Sequence, residues 1–162
     1  MSKINFQNLP NTTTPVNATN LNSIQEKNII TVYLPNQCNC SVLSVYTKVT
    51  GFSELNKIGT RLSLSNDTIV IGAGVSKIKV SGKIGWYADT GSIKYGRIIK
   101  NDTSLAWSTI NIPNGAYGED TFPEILVNVQ QGDVISMLYY TEYANDVIQN
   151  IMRTYMTVEV VE

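Results

Sequence analysis

Within the run from Val75 to Trp86 the chain alternates from position 77 onward. Ile78, Val80, Ile84 and Trp86 fall on one parity, while Lys77, Lys79, Ser81 and Lys83 fall on the other. Successive side chains of a strand point to opposite faces, so the pattern predicts a half-buried β-strand with one apolar and one lysine face. Wound as a helix, the same residues would scatter Val, Lys and Ile around the whole circumference. At roughly 3.3 Å per residue the run would span on the order of 36 to 40 Å, against about 5 to 6 residues for an ordinary strand. Gly82 and Gly85 mark where a bend or bulge is expected to let so long a strand follow a curved sheet.

Shorter runs rich in Val, Ile, Tyr and Thr surround it. They predict strands over 29–34, 41–49, 61–65, 68–71, 93–100, 105–112, 124–129, 134–140 and 152–161. Turn residues separate them: Pro35-Asn36, Gly51, Asn66-Asp67, Asp89-Thr90-Gly91-Ser92, Asn101-Asp102, Pro113-Asn114-Gly115 and Gln131-Gly132-Asp133. Residues 116–123, which carry Tyr117, Gly118, Glu119, Asp120 and Phe122, read as a loop. So does polar 142–150, with room for one helical turn. Short strands at intervals of roughly 8 to 12 residues predict an all-β sandwich or barrel.

Residues 1–26 have a different character. Pro10 and Pro15 favour extended backbone, and Ile4, Phe6, Leu9, Val16, Leu21 and Ile24 are spaced too irregularly to build a core locally. Two readings stand: a disordered tail, or an arm whose apolar residues dock on another protein. Fully extended, such an arm reaches on the order of 85 Å. The division is therefore an arm over 1–26 and a β head over 27–162.

Composition narrows the function. A chain of 162 residues, 43% hydrophobic, suits one domain with a proper core. No run approaches the roughly 18 apolar residues of a membrane span, so no membrane insertion is expected. Met1-Ser2-Lys3 leads into polar residues, so no signal peptide is expected. A net charge of −1 with 15% charged residues leaves no electrostatic footprint for nucleic acid.

Histidine is absent, which excludes a Ser-His-Asp triad, a Cys-His dyad and a His-rich metal site on residue type. Cys38 and Cys40 point to opposite faces of an extended chain, which disfavours a mutual disulfide, and no second pair completes a metal site. They read as two reduced, partly buried thiols, with no cofactor implied. Glu119-Asp120, with Glu124 near, is the one acidic grouping with a hint of glycosidase chemistry. That work needs two carboxylates held about 5 to 9.5 Å apart across a cleft, whereas adjacent acids in a glycine-bearing loop are usually solvated. Gly72-Ala73-Gly74 precedes a strand, so the helix terminus of a phosphate loop is missing. Five Asn-x-Ser/Thr sequons, at Asn11, Asn17, Asn39, Asn66 and Asn101, follow from an Asn/Thr-rich composition. Tyr87, Trp107, Tyr117, Tyr139, Tyr140 and Tyr143 are candidate stacking platforms for a sugar, the larger share of them expected to pack the core or a subunit seam, with Trp107, Tyr117 and Tyr143 as the candidates to face a ligand.

Four stretches also carry a resemblance. They are Ile69-Val70-Ile71-Gly72-Ala73-Gly74-Val75-Ser76-Lys77-Ile78-Lys79-Val80-Ser81-Gly82, Arg97-Ile98-Ile99-Lys100-Asn101, Val127-Asn128-Val129-Gln130-Gln131-Gly132-Asp133-Val134-Ile135-Ser136 and Thr154-Tyr155-Met156-Thr157-Val158-Glu159-Val160-Val161. In order and spacing they resemble the C1q/TNF-like jelly-roll domains on the virion surface of phages and prophages of Gram-positive bacteria. Ile4-Asn5-Phe6 and Pro15-Val16-Asn17-Ala18-Thr19-Asn20-Leu21-Asn22 resemble the attachment peptide that opens many phage fibre and decoration proteins. Asn101-Asp102 departs from the Asn-Gly frequent in the family, and residues 28–59 match none of its pattern.

The resemblance implies an antiparallel jelly roll, a tight homotrimer, chain ends on the side facing the particle, and no catalytic residues. It implies a capsid decoration or head-fibre knob on the virion surface, made in the bacterial cytoplasm. Ile4, Phe6, Leu9, Pro10, Pro15, Val16, Leu21 and Ile24 would anchor it to a capsid or tail protein. The alternative is a tail-fibre or baseplate protein that recognises a host surface polysaccharide. No heptad or collagen-like shaft separates leader from head, which favours the squat knob.

Overall fold

The computed structural model describes residues 27–149 and 153–161. The eight anchoring residues expected between Ile4 and Ile24 lie outside them. The described chain forms thirteen strands: β1 (Ile29–Tyr33), β2 (Cys38–Asn39), β3 (Thr47–Lys48), β4 (Ser53–Ile58), β5 (Leu62–Ser65), β6 (Thr68–Ile71), β7 (Lys77–Ala88), β8 (Ser92–Lys100), β9 (Thr103–Ile112), β10 (Ala116–Asn128), β11 (Val134–Tyr140), β12 (Val147–Ile148) and β13 (Tyr155–Val160). No described residue is helical. All pairings are antiparallel, in one seven-stranded and one six-stranded sheet, as the sandwich expectation required.

The alternating stretch organises the seven-stranded sheet. One edge of β7 pairs with β10 from Lys77 to Ala88, and its other edge pairs first with β13 and then with β12. Beyond them lie β1 and β4 on one side and β2 on the other. In the six-stranded sheet β11 pairs with β8 on one edge, and with β6 and β3 on the other. The two sheets meet at a side formed by β9 and β10, where the Asp120 carboxylate accepts bonds from Ser108 Oγ (2.8 Å) and the Thr109 amide (3.1 Å).

Parity is borne out: Ile78, Val80, Ile84 and Trp86 are all fully buried, while Lys77 is exposed. They pack, with Ile30, Val32, Met156 and Val158 of the same sheet, against Ile69, Ile98, Ile135, Met137 and Tyr139 of the other. Trp86 and Tyr139 meet edge to face at 6.3 Å, which joins the two sheets through the interior.

Four expectations need correction. The bulge expected at Gly82 or Gly85 begins at the partner of Gly82, while the two glycines themselves sit in the regular ladder of β7. They allow close approach instead: a Cβ at Gly82 would lie 2.7 Å from the Tyr155 carbonyl oxygen, and one at Gly85 would lie 2.7 Å from Arg153 Cβ. The irregularity sits in the partner strand, where β10 shifts register between Phe122 and Ile125. Pro123, which has no N–H to give to a ladder, falls in that bulge. Residues 116–123 are thus strand, not loop. Conversely 41–49 pairs only at Thr47–Lys48, most of 41–46 being exposed, and Val147–Ile148 forms a short strand where a helical turn had room.

The turns fall where Asn and Asp predict them. Asn66 (φ 48°) and Asp67 (φ 60°) are both left-handed, as a two-residue type I′ hairpin between β5 and β6 requires. Asp67 Oδ1 also accepts from the amides of Gly51 (2.7 Å) and Phe52 (2.8 Å), pinning the β3–β4 connection. Ile29 pairs with Glu159, so the described chain enters and leaves the sandwich at the same end.

Candidate functional site

The sandwich presents two outer sheet faces. The outer face of the seven-stranded sheet carries the lysines that alternation set opposite the core, and neighbouring strands supply their acids. Lys79 pairs with Glu159 (3.0 Å) and Glu124 (3.4 Å), Lys83 with Glu119 (2.9 Å), and Lys27 with Glu159 (3.2 Å). Lys79 lowers the proton affinity of Glu159, and Glu159 and Glu124 raise that of Lys79. Among these pairs lie apolar groups. Thr31, Tyr33, Leu55 and Tyr155 line a depression of about 260 Å³, Tyr117 (59% exposed) rests 5.0 Å from Tyr87, and Leu126 is 64% exposed.

The acidic pair has no cleft. Glu119 turns outward to Lys83, and Asp120 turns to the β9 edge, so adjacent positions on one strand send the two carboxylates apart. Among the described residues no cluster of three or more His, Cys, Asp or Glu side chains could hold a metal ion.

At the end of the sandwich opposite Ile29 and Val160, Lys94 and Asp146 form an ion pair of 2.5 Å with both side chains fully buried. Lys94 Nζ also donates to Ser92 Oγ (2.7 Å) and the Thr90 carbonyl (3.3 Å). Asp146 accepts from Thr141 Oγ1 and from the Asp89 amide (3.2 Å). Every charged atom is therefore partnered, which is the condition for keeping such a pair dry. Tyr143 stacks its ring 5.0 Å from this ammonium, so it buttresses the pair.

Cys38 and Cys40 are both free thiols, as their spacing predicts. Cys40 is fully buried, and desolvation by burial, with Cys38 and Asp146 nearby, pushes its thiol up to about 12. At pH about 8 a maleimide should label Cys38 alone in the folded protein and both thiols in urea, as mass spectrometry would read; rapid native labelling of Cys40 would contradict its burial.

Below the β10–β11 turn, Asp133 accepts from Asn101 Nδ2 (2.9 Å) and the Gln130 amide (3.1 Å). The Asn101 bond first, then the Gln130 amide, holds its carboxyl below the usual range against the opposing effect of burial. A group with a lowered native pKa stabilises the fold above its unfolded value near 4 and loses that contribution as pH falls through the native value. The stability gap between the wild type and Asp133→Asn should therefore shrink from pH about 7 to pH about 3 in urea titrations.

The outer face of the six-stranded sheet is the most organised surface. Register sets Tyr95 of β8 beside Tyr140 of β11, and Arg97 beside both Leu138 of β11 and Trp107 of β9. Tyr46, just before β3, completes a tyrosine row, 5.3 Å from Tyr140, which lies 5.7 Å from Tyr95. The Arg97 guanidinium carbon lies 3.5 Å from the Tyr46 ring centre and 3.4 Å from that of Trp107. Trp107 itself is 52% exposed.

The three expected ligand-facing aromatics thus do not converge. Trp107 lies on this platform, Tyr117 on the opposite sheet and Tyr143 over the buried ion pair. Tyr46, Tyr95 and Arg97 were missed. The signal available was parity on β8, where Tyr95 and Arg97 oppose buried Ile98.

Two antiparallel sheets packed face to face, with β13 between β1 and the long β7, define a TNF-like jelly roll. Among solved structures the chain is similar to murine APRIL at pH 5.0, with 13% identity, TM-score 0.67, and 84% of this chain and 100% of that one covered. It is similar as well to Eiger TNF from S. frugiperda, with 8% identity, TM-score 0.64, and 85% and 94% covered. No family model matches the chain, and no curated protein matches it by sequence. At these identities the likeness is one of fold.

Proposed function

We propose that the chain is a non-enzymatic homotrimeric surface protein of a bacteriophage particle, a capsid decoration or head-fibre knob held to the virion through residues 1–26. The observation that carries the self-association is the outer face of the seven-stranded sheet. Tyr33, Leu55, Tyr155, Tyr117 and Leu126 lie there among paired charges, a mixture typical of protein interfaces. The virion assignment is supported by the sequence resemblance of the head and leader. It is also supported by the placement of Ile29 and Glu159, near the two ends of the described chain, at one end of the sandwich, where an arm and a particle surface would meet.

Sedimentation equilibrium of the full chain at micromolar concentration should give a trimer, because obligate interfaces bury more than about 2,000 Å²; a monomer overturns the self-association. Removing residues 1–26 should leave the trimer intact but absent from purified particles. Persistent decoration by the truncated chain overturns the anchoring role.

A further inference from the structure

We propose that the outer face of the six-stranded sheet binds an acidic saccharide. Arg97 holds the carboxylate or phosphate, and the row Tyr46, Tyr140, Tyr95 carries the sugar rings. This deepens the reading above only in needing this sheet to face outward when the seven-stranded sheet is the self-contact.

Lys79, Lys83, Lys94 and Lys100 each have a carboxylate partner, whereas the Arg97 guanidinium has no hydrogen bond or ion pair among the described residues. Its Nε is buried without an acceptor. A guanidinium is a rigid planar fork suited to carboxylate or phosphate, and with Nε covered an anion would meet it through the terminal nitrogens. The Tyr46 and Trp107 rings hold that fork in place, so the cost of orienting it is met before a ligand arrives. Lys48 adds a second cation in the same cross-strand row, its Nζ on the Asn66 carbonyl at 2.7 Å. The local charge is positive on a chain whose net charge is −1.

The rest of the surface selects a sugar. Tyr46, Tyr95, Tyr140 and Glu142 line a depression of about 260 Å³ that is open to solvent. Ring faces suit the apolar face of a pyranose, and the phenol and carboxylate oxygens suit its hydroxyls. Glu142, bonded by Tyr140 Oη at 3.4 Å, follows the tyrosine row in the chain, whereas Arg97 pairs with Leu138, two residues before it. Glu142 is thus the charged residue that lines the depression, where it can accept sugar hydroxyls, while Arg97 adjoins it through Tyr46.

The test titrates the full chain by calorimetry with trigalacturonate, sialyllactose and a glycerol-phosphate oligomer, each beside a neutral counterpart. Trp107 is the exposed tryptophan, so its emission gives a second readout. At least one acidic probe should bind at millimolar or tighter affinity, at least tenfold better than its neutral partner, and which probe does so tells carboxylate from phosphate. Arg97→Gln should abolish that preference while Tyr95→Ala weakens the acidic probe. Should Arg97→Gln fail to fold, Trp107→Ala, a change at a half-exposed ring, should lower acidic binding at least tenfold. No binding by any acidic probe, equal binding of the neutral ones, preference surviving these variants, or equal competition by polyglutamate each overturns the proposal. Sedimentation of the same samples keeps the readings apart: a monomer that binds sinks only the trimer, and a trimer that does not bind sinks only this site.

Discussion

Asp146→Ala should cost the fold about 3 to 5 kcal/mol, read as a lower midpoint in urea at unchanged slope. The carboxylate it removes is the acceptor for Lys94, Thr141 and the Asp89 amide. A buried ammonium left without its counter-charge is far more costly than the pair is favourable. Three segments come together there: the β7–β8 turn, the start of β8, and the 141–146 loop. The controlling comparison is the double variant Lys94→Met with Asp146→Leu, which removes both charges and should be less destabilised than either single change. An Asp146→Ala variant within about 1 kcal/mol of the wild type would mean that water reaches the site.

The second large effect is expected at Trp86. Trp86→Ala should destabilise by about 3 to 5 kcal/mol through lost burial and the cavity left behind. The side chain is fully buried and its ring meets Tyr139 of the facing sheet. Trp86→Phe, which retains a ring, should cost clearly less. Equal losses for the two would place the value of Trp86 elsewhere than in packing.

Trp86 also shows what the chain makes readable. Its burial follows from parity alone, because β7 is long and one face is dry along its whole length. β4 was invisible by the same logic: Leu55 and Ile58 are more than 45% exposed on an edge strand, so nothing in Ser-Glu-Leu-Asn-Lys-Ile alternates. β10 misled because Gly118, two acids and Pro123 are turn residues by composition. An edge strand tolerates all of them, since Asp120 finds donors on β9 and Pro123 sits in a bulge. The surface chemistry was legible only in part. Trp107 was singled out, but Tyr46, Arg97 and Tyr140 meet through cross-strand register, which no local pattern encodes. Lys94 and Asp146 lie 52 positions apart and were equally hidden.

The placement of β13 between β1 and β7 has a consequence for how the molecule is made. During synthesis β1 emerges early, yet neither it nor β7 can complete its ladder until residues 155–160 have left the ribosome. Until then both expose unsatisfied backbone edges, an invitation to pair with a neighbouring nascent chain. With so many pairings distant along the chain, folding is expected on the slow, millisecond-to-second side for a domain of this size.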